Sequence, residues 1–287
     1  SLKENFFDNV AKSVYFWGME SNKALDSLAL RIDCHGIKAM AWGSSDDDSL
    51  EVFSHDYPTE GDAKQRLEDV IYENRDFFLQ RDFSRVWCLI ADSKVLFVPG
   101  EADAAQCETF FRASFPDSDV APESFRLTAD DSVRLLAAFP AEEASFMRRT
   151  FYNVVIQPSV LSFARRSLNH GGAADGAKIY VNAMHDGIDV IALEGGKLLL
   201  GNSFACKTYD DAVYYVLAVM QMYGLTDNPK VAMTVSGTPE YRNPMLEALR
   251  RFVPQAVPAV LPSEIYRLGK GVADLPYELI LTPLCEL

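Results

Sequence analysis

No run in this chain approaches the ~20 consecutive apolar residues that a membrane-crossing helix requires, so insertion into a bilayer is not expected. Basic residues are in deficit. The 27 Lys and Arg face 41 Asp and Glu, a formal charge of −14, and the pI lies near 4.7. A surface of that sign repels the phosphates of nucleic acid and, for the same reason, an anionic lipid face. Solubility is the plain reading of the acidity. Cysteine is sparse and unpaired: Cys34, Cys88, Cys107, Cys206 and Cys285 are odd in number, widely scattered and form no CxxC. Most sit in apolar runs, where Cys behaves as a small buried hydrophobe, and such usage points to the cytoplasm. The four histidines, His35, His55, His170 and His185, are equally scattered, so no zinc-type spacing and no metal site emerges. Low-complexity tracts and short repeats are absent. The opening SLKENFFDNVAKSVYFWG has neither an uninterrupted apolar core nor a basic lead, so no secretory signal is expected.

What is present is a patterned α/β chain. At 287 residues and 48% hydrophobic, it can bury the core of one large or two medium domains. The clearest stretch runs from Lys178 to Cys206: KIYVNAM, HDG, IDVIALE, GG, KLLLGNSFAC, or strand, turn, strand, turn, strand. Gly195-Gly196 predicts a tight two-residue hairpin with positive φ, not a phosphate loop, because no Lys-Ser/Thr opens a helix after it. The 3.6-periodic YDDAVYYVLAVMQMYGL and the apolar KVAMTVSG follow at once. Three antiparallel strands, a crossover helix and a strand parallel to the first make one half of a ribonuclease-H-like, actin-type domain.

A fainter copy precedes it. LALRID, GIKAMAWG and LEVFSHDY read as strands, with the acidic SSDDDS as a solvated hairpin tip. Leu67, Val70, Ile71, Phe77 and Phe78 predict a helix over 62–79. RVWCLIAD is the next strand, and KVLFVPG pairs with it or continues it. A helix over 101–115 stops at Pro116. SVRLLAAFP reads as a strand, 140–149 as a helix opened by its proline, and NVVIQPSV as a strand ending at Pro158. SVLSFARRSLNHGG is a helix with Gly171 as its stop. GGAADGA is a joint. The expected organisation is a lead over 1–24, a first half over 25–173 and a second over 174–287. Within the second half a helix over 239–252 precedes a short strand near 257–261. The fold class is α/β: a duplicated ribonuclease-H-like, actin-like ATPase fold with two βββαβα halves around a central cleft.

The residues also resemble a known family. Asn202 and Phe204, Lys207 and Thr208, Asp211, Tyr214 and Tyr215, then Ser236-Gly237 at a strand end, match an N-x-F, polar step, D-x-x-Y-Y and SG pattern. That pattern is similar to a family of uncharacterised Bacteroidetes proteins classed as a domain of unknown function, and the likeness spans the chain from about residue 25. It implies an actin-like ATPase fold and no assigned reaction. It also implies that such a fold can serve as a docking platform, as actin-like scaffolds of secretion and pilus assembly do.

An actin-like ATPase sets two hairpin loops around the nucleotide phosphates, each with an Asp ending its first strand and glycines after it. The Asp holds water around Mg²⁺ and the glycines admit backbone N–H groups to the phosphates. Here Asp33 and Gly36 form the first loop, with His35 where a glycine would stand. Asn182 and Gly187 form the second, where Asn182 carries no charge. Gly237, within Ser236-Gly237-Thr238, is what remains of the adenosine-side glycines. Asp33, Gly36, Asn182, Gly187 and Gly237 are thus the candidate cofactor-binding residues, with ATP and Mg²⁺ the cofactors such a cleft would admit.

No catalytic set is identified. His35, His55 and His185 with Asp56 or Asp186 show no supporting spacing, and Ser159 lacks a glycine-flanked elbow. Asp210 and Asp211 read as first-turn caps. The expected function is a non-catalytic or weakly nucleotide-binding actin-like protein that acts through an unidentified protein partner. The alternatives are an ATPase with a divergent site and, at a further remove, a two-metal nuclease that would need more carboxylates than Asp33 supplies.

Overall fold

Leu28 and Leu30 on β1 (Ser27–Asp33) are wholly buried, as are Ile37, Ala39 and Met40 on β2 (Gly36–Trp42). Each large side chain so enclosed stabilises the fold by about 2 kcal/mol. The two strands pair antiparallel from Ser27 opposite Trp42 to Asp33 opposite Gly36, and β3 (Leu50–Asp56) completes a meander. The structure, a computed structural model, describes residues 25–43, 50–58, 61–92, 94–170, 176–226, 228, 230–266 and 270–284. The lead over 1–24, the acidic tip at 44–49 and the Gly171 stop lie outside the described residues.

The single helix expected over 62–79 is two: α1 (Ala63–Glu73) and α2 (Arg75–Phe78). Asn74 divides them. Its side-chain amide donates to Val70 O at 2.8 Å and its backbone N–H to the same carbonyl at 3.1 Å, which closes α1. β4 (Arg85–Ile90) then runs parallel to β1.

KVLFVPG neither continues β4 nor pairs with it. β5 (Lys94–Pro99) leaves that sheet, and after α3 (Ala104–Ser114) it forms a small antiparallel sheet with β6 (Glu123–Arg126) and β7 (Val133–Ala138), in the order β5-β7-β6. Phe97 of β5 supplies the reason, since its ring lies where a Cβ on Gly201 would stand, only 2.6 Å from that position. The β6 strand, with one half-buried residue among four, has no apolar alternation to announce it. α3 starts at Ala104 because Asp103 and Gln106 form a reciprocal capping box there. α4 (Ala141–Thr150) leads to β8 (Val154–Pro158), parallel to β4, and α5 (Val160–His170) follows.

The second sheet repeats the first. β9 (Ala177–Ala183), β10 (Gly187–Glu194) and β11 (Lys197–Ala205) form a meander. Its tight turn has Gly195 at φ 54° and Gly196 at φ 78°, the positive values the sequence predicts. α6 (Tyr209–Met222) opens on a Thr208–Asp211 capping box. β12 (Ala232–Gly237), α7 (Pro239–Arg250) and β13 (Val257–Pro258) complete the unit. Strand orders are β3-β2-β1-β4-β8 and β11-β10-β9-β12-β13, so each sheet has its first strand central, a meander on one side and parallel strands on the other. The fold is a duplicated ribonuclease-H-like, actin-type architecture.

Each sheet buries one face under its own helices: α1 and α4 on the first, α6 and α7 on the second. The opposite faces are covered by exchange. α5, which follows the first sheet's last strand, packs Leu161 and Phe163 against Ile191 and Leu193 of the second sheet. The chain's final stretch, α8 (Ser263–Tyr266) and α9 (Tyr277–Ile280), packs Ile265, Leu279 and Ile280 against Ala29, Met40 and Leu89 of the first. Ile265, Val272, Leu275, Leu279 and Ile280 therefore share a core with the first sheet, although the sequence groups them with the second half. Among the described residues, no helix is long and apolar enough to cross a membrane.

Candidate functional site

The two meanders bring their first turns together at the centre. Asp33 faces Gly36 across a two-residue turn, Cys34-His35. Met184 faces Gly187 across the matching turn, His185-Asp186, with Met184 N–H donating to Gly187 O at 3.0 Å. Register thus sets Met184, not Asn182, at the position of Asp33, and Asn182 matches Arg31. The sequence places Asn182 two residues too far along because it ends β9 at that residue, whereas pairing continues to Ala183.

Gly36 and Gly187 are true equivalents. A Cβ on Gly36 would lie 2.2 Å from His55 O, and one on Gly187 would lie 2.3 Å from Phe204 O. The third strand of each meander runs too close to admit a side chain. Gly237 sits at φ 120°, and its missing Cβ would lie 2.3 Å from Ala183 O. All three glycines are required by backbone approach inside the sheets.

Asp33 is fully engaged by its own surroundings. Oδ1 accepts from the N–H groups of His35 and Gly36, both at 2.9 Å, and Oδ2 pairs with Arg31. Partial burial works against its charge, but the Arg31 guanidinium and the two backbone donors hold the carboxyl below the usual carboxylate range. A metal–water shell would have to break these bonds. With neutral Met184 opposite and the two turns in contact, the residues present do not fit an Mg²⁺-clamped nucleotide phosphate.

Below the turns lies a buried polar network that joins both sheets. Arg31 Nε donates to Glu278 Oε1 at 2.6 Å, and Asn182 Nδ2 donates to Glu278 Oε2 at 3.0 Å. Glu278, on α9, thus bridges the first strands of the two meanders. Although burial opposes its charge, the Glu278 and Asp33 carboxylates hold Arg31 protonated above even its ordinary range.

Asn182 belongs to a row of direct cross-strand partners, Ser203–Asp189–Asn182–Ser236. Ser203 Oγ donates to Asp189 Oδ1 at 2.6 Å, Asn182 Nδ2 reaches Asp189 Oδ2 at 3.4 Å, and Ser236 Oγ donates to Asn182 Oδ1 at 3.1 Å. Burial, reinforced by the Glu278 charge, pushes the Asp189 carboxyl up to about 6 against the pull of its hydrogen bonds. The first sheet carries the matching row, Ser54–Lys38–Arg31–Leu89, in which Lys38 Nζ donates to Ser54 Oγ at 2.6 Å. Ser236, expected beside adenosine, instead lines a cavity of about 170 Å³ with Phe163, Arg166 and Tyr180.

Above the network the turns touch. His35 Nε2 pairs with Asp186 Oδ2, and His185 Nδ1 lies 2.6 Å from Asp186 Oδ1. The two imidazole centroids are 4.0 Å apart, and Cys34 Sγ lies 3.8 Å from Asp186 Oδ2. Partial burial and the charges of Asp92, Asp33 and Asp186 push the Cys34 thiol up to about 11. The two imidazoles hold Asp186 below its usual range despite some desolvation. His55, by contrast, stacks on Phe53. The sequence missed Cys34, Arg31, Asp92, Asp189 and Glu278. Its one usable signal was that Cys34-His35 and His185-Asp186 fill the same two-residue turn of a duplicated hairpin.

This architecture has relatives. A family profile described as a protein of unknown function, DUF3822, matches residues 21–256. The chain belongs to the DUF3822 family. It is similar to a solved protein from Bacteroides thetaiotaomicron VPI-5482, described as having an actin-like ATPase fold and unknown function. That likeness has a TM-score of 0.76 at 19% identity and covers 94% of this chain and 100% of that one. It is also similar to a chain of the PilM-PilN type IV pilus biogenesis complex, with a TM-score of 0.52 at 13% identity over 89% and 96% of the two chains. At these identities the likeness establishes the fold. No curated protein sequence matches the chain.

Proposed function

We propose that this DUF3822 chain is an actin-like scaffold that binds nucleotide weakly or not at all and works by associating with another protein. The observation that carries the reading is the state of the two phosphate-type turns. Asp33 spends both oxygens on its own turn and on Arg31, and His35 and Asp186 close the gap that a phosphate would occupy. The similarity to a protein solved within a pilus biogenesis complex supports association as the mode of action. The charge of −14 directs that association away from nucleic acid, and the unpaired cysteines fit a cytoplasmic location. In this reading the halves are 25–173 and 174–287, with the last segment reaching back to the first. Asp33, Gly36, Asn182, Gly187 and Gly237 hold the shape of an inherited cleft rather than a cofactor.

A divergent ATPase is the competing reading, favoured by one observation. Asp92 lies close enough to Asp33 that this charge adds to burial in pushing the Asp92 carboxyl up, so a second carboxylate stands beside the cleft. Calorimetric titration of the full chain with ATP and Mg²⁺ decides between them. The scaffold reading expects no binding tighter than about 10 µM, roughly −7 kcal/mol. Tighter binding that Asp33→Ala abolishes overturns it.

A further inference from the structure

We propose that Cys34, His35 and Asp186 form a site for a zinc-class divalent ion that ties the two turns together, with His185 orienting Asp186 from outside. The ligand atoms of the three residues all lie within 4.8 Å of one another. The Cys34 Sγ to Asp186 Oδ2 separation of 3.8 Å is close to the ~3.5 Å edge that a tetrahedral ion with bonds of about 2.3 Å to sulfur and 2.0 Å to oxygen imposes. Binding would replace the direct His35–Asp186 contact with the wider edge, ~3.3 Å, that two bonds of about 2.0 Å to a tetrahedral ion impose.

The donor set selects the ion. A thiolate, an imidazole and a carboxylate suit Zn²⁺ or Co²⁺, whereas Mg²⁺ and Ca²⁺ demand oxygen throughout. Asp33 and Asp92 lie within electrostatic reach of Cys34; their negative charge attracts a cation but keeps the free thiol protonated, so the ion itself must displace that proton on binding. His185 Nδ1, 2.6 Å from the second Asp186 oxygen, makes the outer contact that commonly fixes a liganding carboxylate. Cys34, His35 and Asp186 are all exposed, so an ion reaches them from solvent, and the fourth position is left to water. Two ligands come from the first meander and one from the second, so the ion would bind across the interface between the sheets. This inference is independent of whether nucleotide binds.

The test uses the full chain, stripped with a chelator, titrated with ZnCl₂ by calorimetry and with CoCl₂ by absorption spectroscopy. The expected result is one equivalent bound tighter than about 1 µM. It comes with a thiolate-to-cobalt charge-transfer band and a melting temperature that rises with added zinc. Cys34→Ser should abolish the band, while Cys88→Ser, Cys107→Ser and Cys206→Ser leave it intact. His35→Ala and Asp186→Asn should each weaken Zn²⁺ by more than the ~10–100-fold that loss of an outer partner costs, and His185→Ala should fall within that range. Circular dichroism of each stripped variant controls for folding, which these exposed turn positions are expected to keep. Stoichiometric binding that survives Cys34→Ser, binding weaker than about 10 µM, or no cobalt–thiolate band overturns the site and leaves His35–Asp186 a simple ion pair.

Discussion

Asp189 offers the sharpest test of the central network. It is 2% exposed on β10, and burial pushes its carboxyl up to about 6 from an unfolded value near 3.9. The folded state therefore holds this proton more tightly than the unfolded chain does. Its contribution is fully present below pH ~4 and is lost as pH rises through ~6, because the unfolded chain releases the proton first. The gap between the folded and unfolded carboxyl corresponds to about 3 kcal/mol between the limits, with roughly half developing above pH 5.

Asp189→Asn removes the titration and keeps the shape. Its carbonyl can still accept from Asn182, and the Ser203 hydroxyl can rotate to accept from the new amide. Urea denaturation of both proteins from pH 4.5 to 8 should show the variant gaining about 2 kcal/mol on the native chain across that range. Asp33 and Asp186, whose carboxyls are held low, act with the opposite sign and below pH ~4, outside this window. A difference between the two proteins that stays flat from pH 4.5 to 8 would refute the reasoning.

Arg31→Met should cost about 3–5 kcal/mol, since it leaves Glu278 buried without its cation. A loss under about 1 kcal/mol by chemical denaturation would mean that water reaches the network. Gly36→Ala and Gly187→Ala should each destabilise by about 1–3 kcal/mol through collision with a backbone carbonyl. Gly195→Ala, with nothing within 4 Å, should cost only the ~1 kcal/mol of its positive φ. If Gly36→Ala left the melting temperature unchanged while removing a measured binding activity, that glycine would serve a ligand instead.

The sheets were legible because their strands state themselves. IDVIALE and KLLLGNSF flank a Gly-Gly turn, and only a hairpin satisfies that combination. The small sheet was not legible, because β6 is short and polar and because KVLFVPG has the same apolar pattern whichever sheet it joins. Helix boundaries failed where a side chain intervened. Asn74 turns its amide back onto Val70, an option that periodicity does not register. The site was half visible. Asp33, Gly36 and Gly187 flank the two turns that the strand pattern marks, but pairing, which composition does not register, carries the strand past Asn182 to Ala183. Glu278 left no trace in the sequence. It lies 247 residues from Arg31, in a segment whose apolar pattern says that it packs but not upon which sheet.

The duplication reaches below the backbone, and that detail bears on what the molecule does. Each sheet carries a polar row at the same register, and in each a serine on the third strand meets a charged residue on the second: Lys38 with Ser54, Asp189 with Ser203. The first strand then supplies Arg31 in one sheet and Asn182 in the other. The charges are opposite in sign, and both rows converge on Glu278. In a two-lobed protein governed by a ligand, closure is driven by the ligand's stronger hold on the closed state. Here the groups that would receive the ligand already hold one another: Asp33 with Arg31, Arg31 with Glu278, Glu278 with Asn182, and His35 with Asp186 above them. In the scaffold reading proposed above, these contacts would hold the two sheets in one relative position without ATP, as a fixed docking surface requires and a nucleotide-driven motor does not.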